Sequence, residues 1–173
     1  DLLHTSGYWN RLIVSAYDPG VDPATMLLAV TKVDDVANET YTNEACYNDN
    51  ANDDNDTRLS EIFLQLCAEL KVRMRQQVID QLSANYDDEQ QSADNTLQEA
   101  RQKAKENVLK SLQIHPVSAP QMRELILKER GRRVRNLFLQ DPTETGIPGL
   151  RESLIKLAKD EQKQRNNKIK ELS

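Results

Sequence analysis

The sequence is poor in the residues that most often carry a specialised chemistry. Its 173 residues include one Trp, two Phe, five Gly and two Cys. With so few rings, a core has to be assembled from Leu, Ile, Val and Ala. Cys46 and Cys67 form no CxxC pair, which excludes a disulfide framework and a zinc site and leaves both as free thiols. No stretch approaches the roughly 20 apolar residues needed to span a bilayer, and no charged-then-apolar leader opens the chain. Cytoplasmic residence is the expectation. His4 and His115 lie in no metal or nucleophile motif, and Ser118 has no GxSxG context, so neither a metalloenzyme nor a serine hydrolase is indicated. The triplets Asn38-Glu39-Thr40 and Asn55-Asp56-Thr57 have the glycosylation pattern, which would matter only in a secreted protein.

What is present is charge and helical periodicity. Charged residues make up 29% of the chain and the mean hydropathy is -0.74, which describes a soluble, helix-rich protein of one domain by length. The net charge of -5 argues against general nucleic-acid binding. Its sign is unevenly spread. Asp34 to Asp56 contains acids and no base, whereas Lys128, Arg130, Arg132, Arg133 and Arg135 crowd together with Glu129 as the sole acid among them. That basic run is either a solvated face or a contact for an anionic partner such as phosphate, a lipid headgroup or an acidic protein.

Along the chain, Asp1 to Tyr17 has a spacing compatible with an amphipathic helix bent near Gly7, and Asp18-Pro19-Gly20 and Asp22-Pro23 then break it. Met26 to Val30 is a short apolar run that suits a strand buried on both faces. Residues 38–57 are nearly all Asn, Asp, Thr and Glu and are expected to form a mobile acidic loop. Its aspartates lack the turn glycine and spaced glutamate of a calcium loop of the EF-hand type. Residues 58–112 read as a helical hairpin: Leu59, Ile62, Phe63, Leu66, Leu70, Met74, Val78 and Leu82 on one helix, Leu97, Ala104, Val108 and Leu112 on the other. Ile114 to Ser118 is a second short strand, Ala119-Pro120 starts a helix, and Asp141 to Gly146 is turn-rich. A last helix starts near Pro148, and its apolar stripe thins beyond Lys159.

Two strands joined by a long helical crossover are expected to be parallel, with both carboxyl ends on one edge, where open α/β sheets bind ligands. Thr31-Lys32-Val33-Asp34 follows the first strand and Ser118-Ala119 follows the second. A carboxylate at Asp34 can accept from both the N1 and N2 donors of guanine, a pair that adenine does not offer. The Lys32 stem can cover the ring face, and the turn amides at Ser118-Ala119 can donate to guanine O6.

These residues carry a resemblance to the GTPase superfamily. Thr31-Lys32-Val33-Asp34 is similar to its [NT]KxD base-specificity motif and Val117-Ser118-Ala119 to its later SA motif. The Thr in place of Asn, the helical insert between the motifs and Thr145-Gly146-Ile147-Pro148-Gly149-Leu150-Arg151 resemble the dynamin family, especially its bacterial-type members. Thr5-Ser6-Gly7-Tyr8-Trp9-Asn10-Arg11-Leu12 resembles the helix that such proteins place after their second switch. The resemblance implies an α/β fold with part of a P-loop GTPase-type parallel sheet. Residues 1–158 would form the C-terminal part of a GTPase domain, and 159–173 would begin a helix leading towards a stalk or bundle.

It further implies GTP or GDP as ligand, a homodimer formed through the nucleotide face, contact with the remainder of the GTPase domain, and hydrolysis coupled to remodelling of an anionic membrane by a peripherally attached protein. The departure from the family pattern is specific. No GxxxxGK[ST] loop occurs, and no DxxG segment or switch threonine can be assigned. Base contacts are therefore expected here, while the magnesium and phosphate contacts of GTP hydrolysis are not. The rival reading is a non-enzymatic helical interaction module in which the hairpin and the basic run bind a protein.

Overall fold

The computed structural model describes residues 26–47, 55–89 and 95–171. The helix expected over Asp1 to Tyr17 and the proline turns after it lie outside the described residues. α-Helix accounts for 77% of those described, accompanied by a small two-stranded parallel sheet. The order is β1 (Leu27–Val30), α1 (Val33–Tyr47), α2 (Asn55–Glu89), α3 (Asn95–Ser111), β2 (Gln113–Pro116), α4 (Ala119–Glu129), a 3-10 turn (Pro142–Thr145) and α5 (Ile147–Glu171). No helix among the described residues is long and apolar enough to cross a membrane.

Strands β1 and β2 pair with each other. Gln113 N–H donates to the Met26 carbonyl at 2.9 Å and Val117 N–H to the Val30 carbonyl at 2.8 Å. Both partners advance by the same number of residues between these bonds, so the strands run parallel, as the long helical connection requires. Burial on both faces, expected for the first strand, is not found. Leu27, Leu28 and Val30 are half-buried and Ala29 is exposed, because among the described residues the sheet has only these two strands.

Contacts divide the described residues into two compact units, one drawn from 1–28 and 72–114 and the other from 29–71 and 115–173. In the first, Met26, Val78, Leu82, Val108 and Leu112 form a core flanked by Leu28, Leu109 and Ile114. The residues of α2 and α3 in this core recur at helical spacing on facing stripes. Lys105 Nζ donates to Ser83 Oγ at 2.9 Å and Arg75 to the Leu109 carbonyl at 3.0 Å. Ascending α2 meets descending α3, which is the expected antiparallel hairpin.

The second unit is built around Val33, Ala37, Ile62, Phe63, Phe138 and Leu139. The rings of Phe63 and Phe138 meet edge to face, with centroids 5.7 Å apart, a favoured aromatic geometry. Residues of the insertion expected over 58–112 contribute to both cores. Leu59, Leu66 and Leu70 pack on the Val33 cluster, whereas Val78 and Leu82 pack with α3.

The acidic loop expected over 38–57 is corrected at both ends by helix, while 48–54 lie outside the described residues. Residues 38–47 complete α1, and α2 begins at Asn55. Val33, Ala37 and Tyr41, each four residues apart, bring one side of α1 to the core. The polar side chains support the helix from within. Thr40 donates to the Val36 carbonyl at 2.9 Å, Thr42 to the Asn38 carbonyl at 2.8 Å and Asn38 to the Asp34 carbonyl at 2.7 Å. Tyr41 Oη donates to Asn55 Oδ1 at 2.7 Å, and Arg58 pairs with Glu44 at 2.8 Å, joining α1 to the start of α2.

Candidate guanine-binding site

The pairing of Val117 with Val30 places the two strand exits side by side in the second unit. From one exit the chain passes through Thr31 and Lys32 into α1, and from the other through Ser118 into α4. Thr31 and Lys32 are exposed. Lys32 has φ of 63°, a left-handed conformation uncommon for a residue with a β-carbon and often found at functional sites. Its carbonyl accepts from Val36 N–H at 3.3 Å, so the turn at Lys32 is what starts α1.

Asp34 lies in the first turn of α1, where a carboxylate complements the positive end of the helix dipole. It is only 6% exposed. Its Oδ1 is buried and has no hydrogen-bond partner among the described residues. A native protein rarely leaves a carboxylate oxygen in this state, because the desolvation is then uncompensated.

At the second exit, Ser118 is fully buried and acts as the N-cap of α4. Its Oγ accepts from Gln121 N–H at 3.2 Å, its carbonyl from Met122 N–H at 3.2 Å, and its own N–H donates to the Thr145 carbonyl at 2.9 Å. Capping explains the serine here. Ala119 is exposed and supplies the first amide of α4, a group with no acceptor inside a helix. Neither protein-family models, nor curated proteins, nor solved structures yield a match to this chain.

The five strand-end residues Thr31, Lys32, Asp34, Ser118 and Ala119 thus belong to one compact unit and to two adjacent strand exits. Together they comprise a buried acceptor, the first amide of a helix and an alkyl stem. A groove of about 280 Å³ lies elsewhere on this unit, lined by Asp56, Thr57, Ser60, Glu61, Leu64, Phe138 and Gln140. It contains none of the five.

The basic run is ordered from beneath. Gln121 and Glu124 are buried on α4. Gln121 accepts from the Phe138 and Leu139 amides at 3.1 and 3.3 Å and donates to the Asn136 carbonyl at 2.7 Å. Glu124 accepts from Arg135 N–H at 2.7 Å and from the Arg123 guanidinium at 3.0 Å. These bonds hold its carboxyl below the ordinary value, the Arg135 amide contributing most. Above that support, Lys128, Arg130, Arg132, Arg133 and Arg135 are all exposed. Lys128 donates to Gln140 at 3.0 Å.

The sequence pattern does not mark Gln121 or Glu124, and it marks Thr145 only as part of the segment leading into the last helix, not as a partner of Ser118. All three act through contacts with residues distant in the chain. The one local signal was Asp141-Pro142-Thr143-Glu144, whose first and last side chains form a capping box around the 3-10 turn. His115 is half-buried with Nε2 unpartnered among the described residues. Burial and then the nearby Lys71 lower its pKa, and no catalytic pairing accompanies it.

Proposed function

We propose that this chain reads the base of a guanine nucleotide, as part of a GTPase of the dynamin type. The observation that carries the reading is the buried Asp34 Oδ1 without a partner, at the exit of a strand paired with the one that leads to Ser118 and Ala119. Guanine N1–H and N2–H are donors that a single carboxylate can satisfy together, and a base is flat enough to lie against the Lys32 stem. The Ala119 amide supplies the complementary donor for O6, where adenine carries an amino group. The finer fold assignment, a P-loop GTPase-type sheet carrying a helical insertion, belongs to the same proposal.

GTP hydrolysis needs magnesium and a phosphate cradle. The sequence contains no phosphate loop, and the described residues hold no cluster of three or more His, Cys, Asp or Glu side chains suited to a metal. What this chain contributes is choice of base, so it is expected to show no turnover by itself. Coupling to a membrane, a homodimer across the nucleotide face and extension of α5 towards a stalk are parts of the proposal that rest on the family resemblance.

A second reading, a helical protein-interaction module, is favoured by α5, where Leu154, Ile155 and Ile169 are exposed. Base selectivity separates the two. The chain binds GMP in preference to AMP on the first reading and neither on the second. Asp34→Asn provides the sharper measurement: its amide can donate to the O2 of xanthine while its carbonyl still accepts from one donor. Competition between GMP and XMP should move towards XMP. An Asn variant that retains the original ratio would remove Asp34 from the base and the proposal with it.

A further inference from the structure

We infer that the Asp141–Gly146 turn is a positioning element that sets the amide reading guanine O6, so that base selectivity depends on residues that never touch the base. The inference rests on the guanine reading above. The segment between Ser118 and Ala119 has no strand partner beyond Val117. Within α4 it is held by the Ser118 cap, and from outside the helix by the Ser118 N–H donated to the Thr145 carbonyl at 2.9 Å. The next amide in the chain is that of Ala119, so displacement of the Thr145 carbonyl moves the donor directly.

The turn is built to keep that carbonyl still. Asp141 Oδ1 accepts from Thr143 N–H at 2.8 Å, and Glu144 Oε2 accepts from Asp141 N–H at 3.2 Å. Thr145 is fully buried. Its Oγ1 donates to the Pro142 carbonyl at 2.6 Å and accepts from Ile147 N–H at 3.3 Å, linking the turn to the start of α5. Gly146 then takes φ of 72° and presses its backbone onto the exit of β2. A β-carbon there would collide with the Pro116 carbonyl oxygen and stand 3.3 Å from Val117 Cγ1. Only glycine meets both conditions, the left-handed backbone and the close approach.

A turn that merely stabilised the fold would weaken all ligands alike, whereas a turn that aims one donor weakens recognition of one atom. The probes are GMP and 6-thioguanosine monophosphate, which keeps N1–H and N2–H but replaces O6 with a larger and poorer acceptor. AMP serves as the control for base choice. Titration of the 15N-labelled chain, following the Ala119 amide, gives each dissociation constant. Thr145→Val removes a hydroxyl without changing shape, and Asp141→Ala removes the cap without touching Ser118 or Pro116. Each should weaken GMP by about fivefold, the factor equivalent to about 1 kcal/mol for one neutral hydrogen bond, and shift the thio analogue by less than about twofold.

Gly146→Ala should do the same more strongly; if it fails to fold, the other two variants still decide. Equal weakening of both ligands, or none, overturns the positioning role. Wild-type chain that does not distinguish GMP from AMP overturns the guanine reading itself, a result separable from the first because it needs no variant.

Discussion

Replacing Asp34 with alanine should make the free chain more stable, although it removes the residue on which base recognition rests. The carboxylate is 6% exposed, and Oδ1 has no partner among the described residues. An unsatisfied buried acceptor costs about 1–3 kcal/mol. Its removal relieves that, and alanine adds about 0.5 kcal/mol of helix propensity over aspartate. Against this stands the favourable position of an acid in the first turn of α1, worth about 0.3–1 kcal/mol. The balance favours the variant by about 1–2 kcal/mol. Urea unfolding followed by circular dichroism at 222 nm measures it, and the midpoint should rise without change of slope. Saturating GMP should then raise the midpoint of the wild type and leave that of Asp34→Ala unmoved. Destabilisation of the variant by 1 kcal/mol or more would refute the reasoning, because the carboxylate would then be a structural group with a partner of its own.

Three further outcomes are expected. The depressed Glu124 carboxyl stabilises the fold fully above the ordinary glutamate range and progressively less as pH falls through its lowered folded-state value; Glu124→Gln should flatten that acid limb of the stability profile, and an unchanged limb would show that the Arg135 and Arg123 contacts do not act on it. Burial pushes the Cys67 thiol up to about 11 from the usual 9.0, with Lys71 opposing it, so in a Cys46→Ser background its thiol reaction at pH 8 should run about a hundredfold slower than in urea-unfolded chain, and equal rates would contradict its packing. The exposed cluster of Lys128, Arg130, Arg132, Arg133 and Arg135 should bring the chain down with anionic vesicles at low salt and release it near physiological salt; equal recovery on neutral vesicles would remove a lipid role.

How far the sequence foretold the structure varies with the range of the interactions involved. The α2–α3 hairpin was legible because Val78, Leu82, Val108 and Leu112 recur at helical spacing and meet in one core. Helix α1 was not, since its apolar anchors are few and its hydroxyl and amide side chains bond to its own backbone, which composition does not reveal. The core role of Phe138 and Leu139 was hidden behind the arginines before them. That segment has no period of its own and is held by Gln121 from α4. The adjacency of the two strand exits followed from the order strand, helices, strand. The burial of Asp34 and the hold of Thr145 on Ser118 come from tertiary contacts that no short motif encodes.

The internal bonding of α1 also bears on covalent modification. Glycan transfer to Asn38 would require its side-chain nitrogen as the nucleophile and the Thr40 hydroxyl as its helper. In the folded chain Asn38 Nδ2 donates to the Asp34 carbonyl and Thr40 Oγ1 to the Val36 carbonyl, and the helix keeps the two residues from the extended geometry in which they could cooperate. At the Asn55 triplet the bond is to the other atom of the amide, Asn55 Oδ1 accepting from Tyr41 at the start of α2. Folding thus withdraws Asn38 from this chemistry, and a chain routed through a secretory compartment would carry sugar there only where modification outran helix formation.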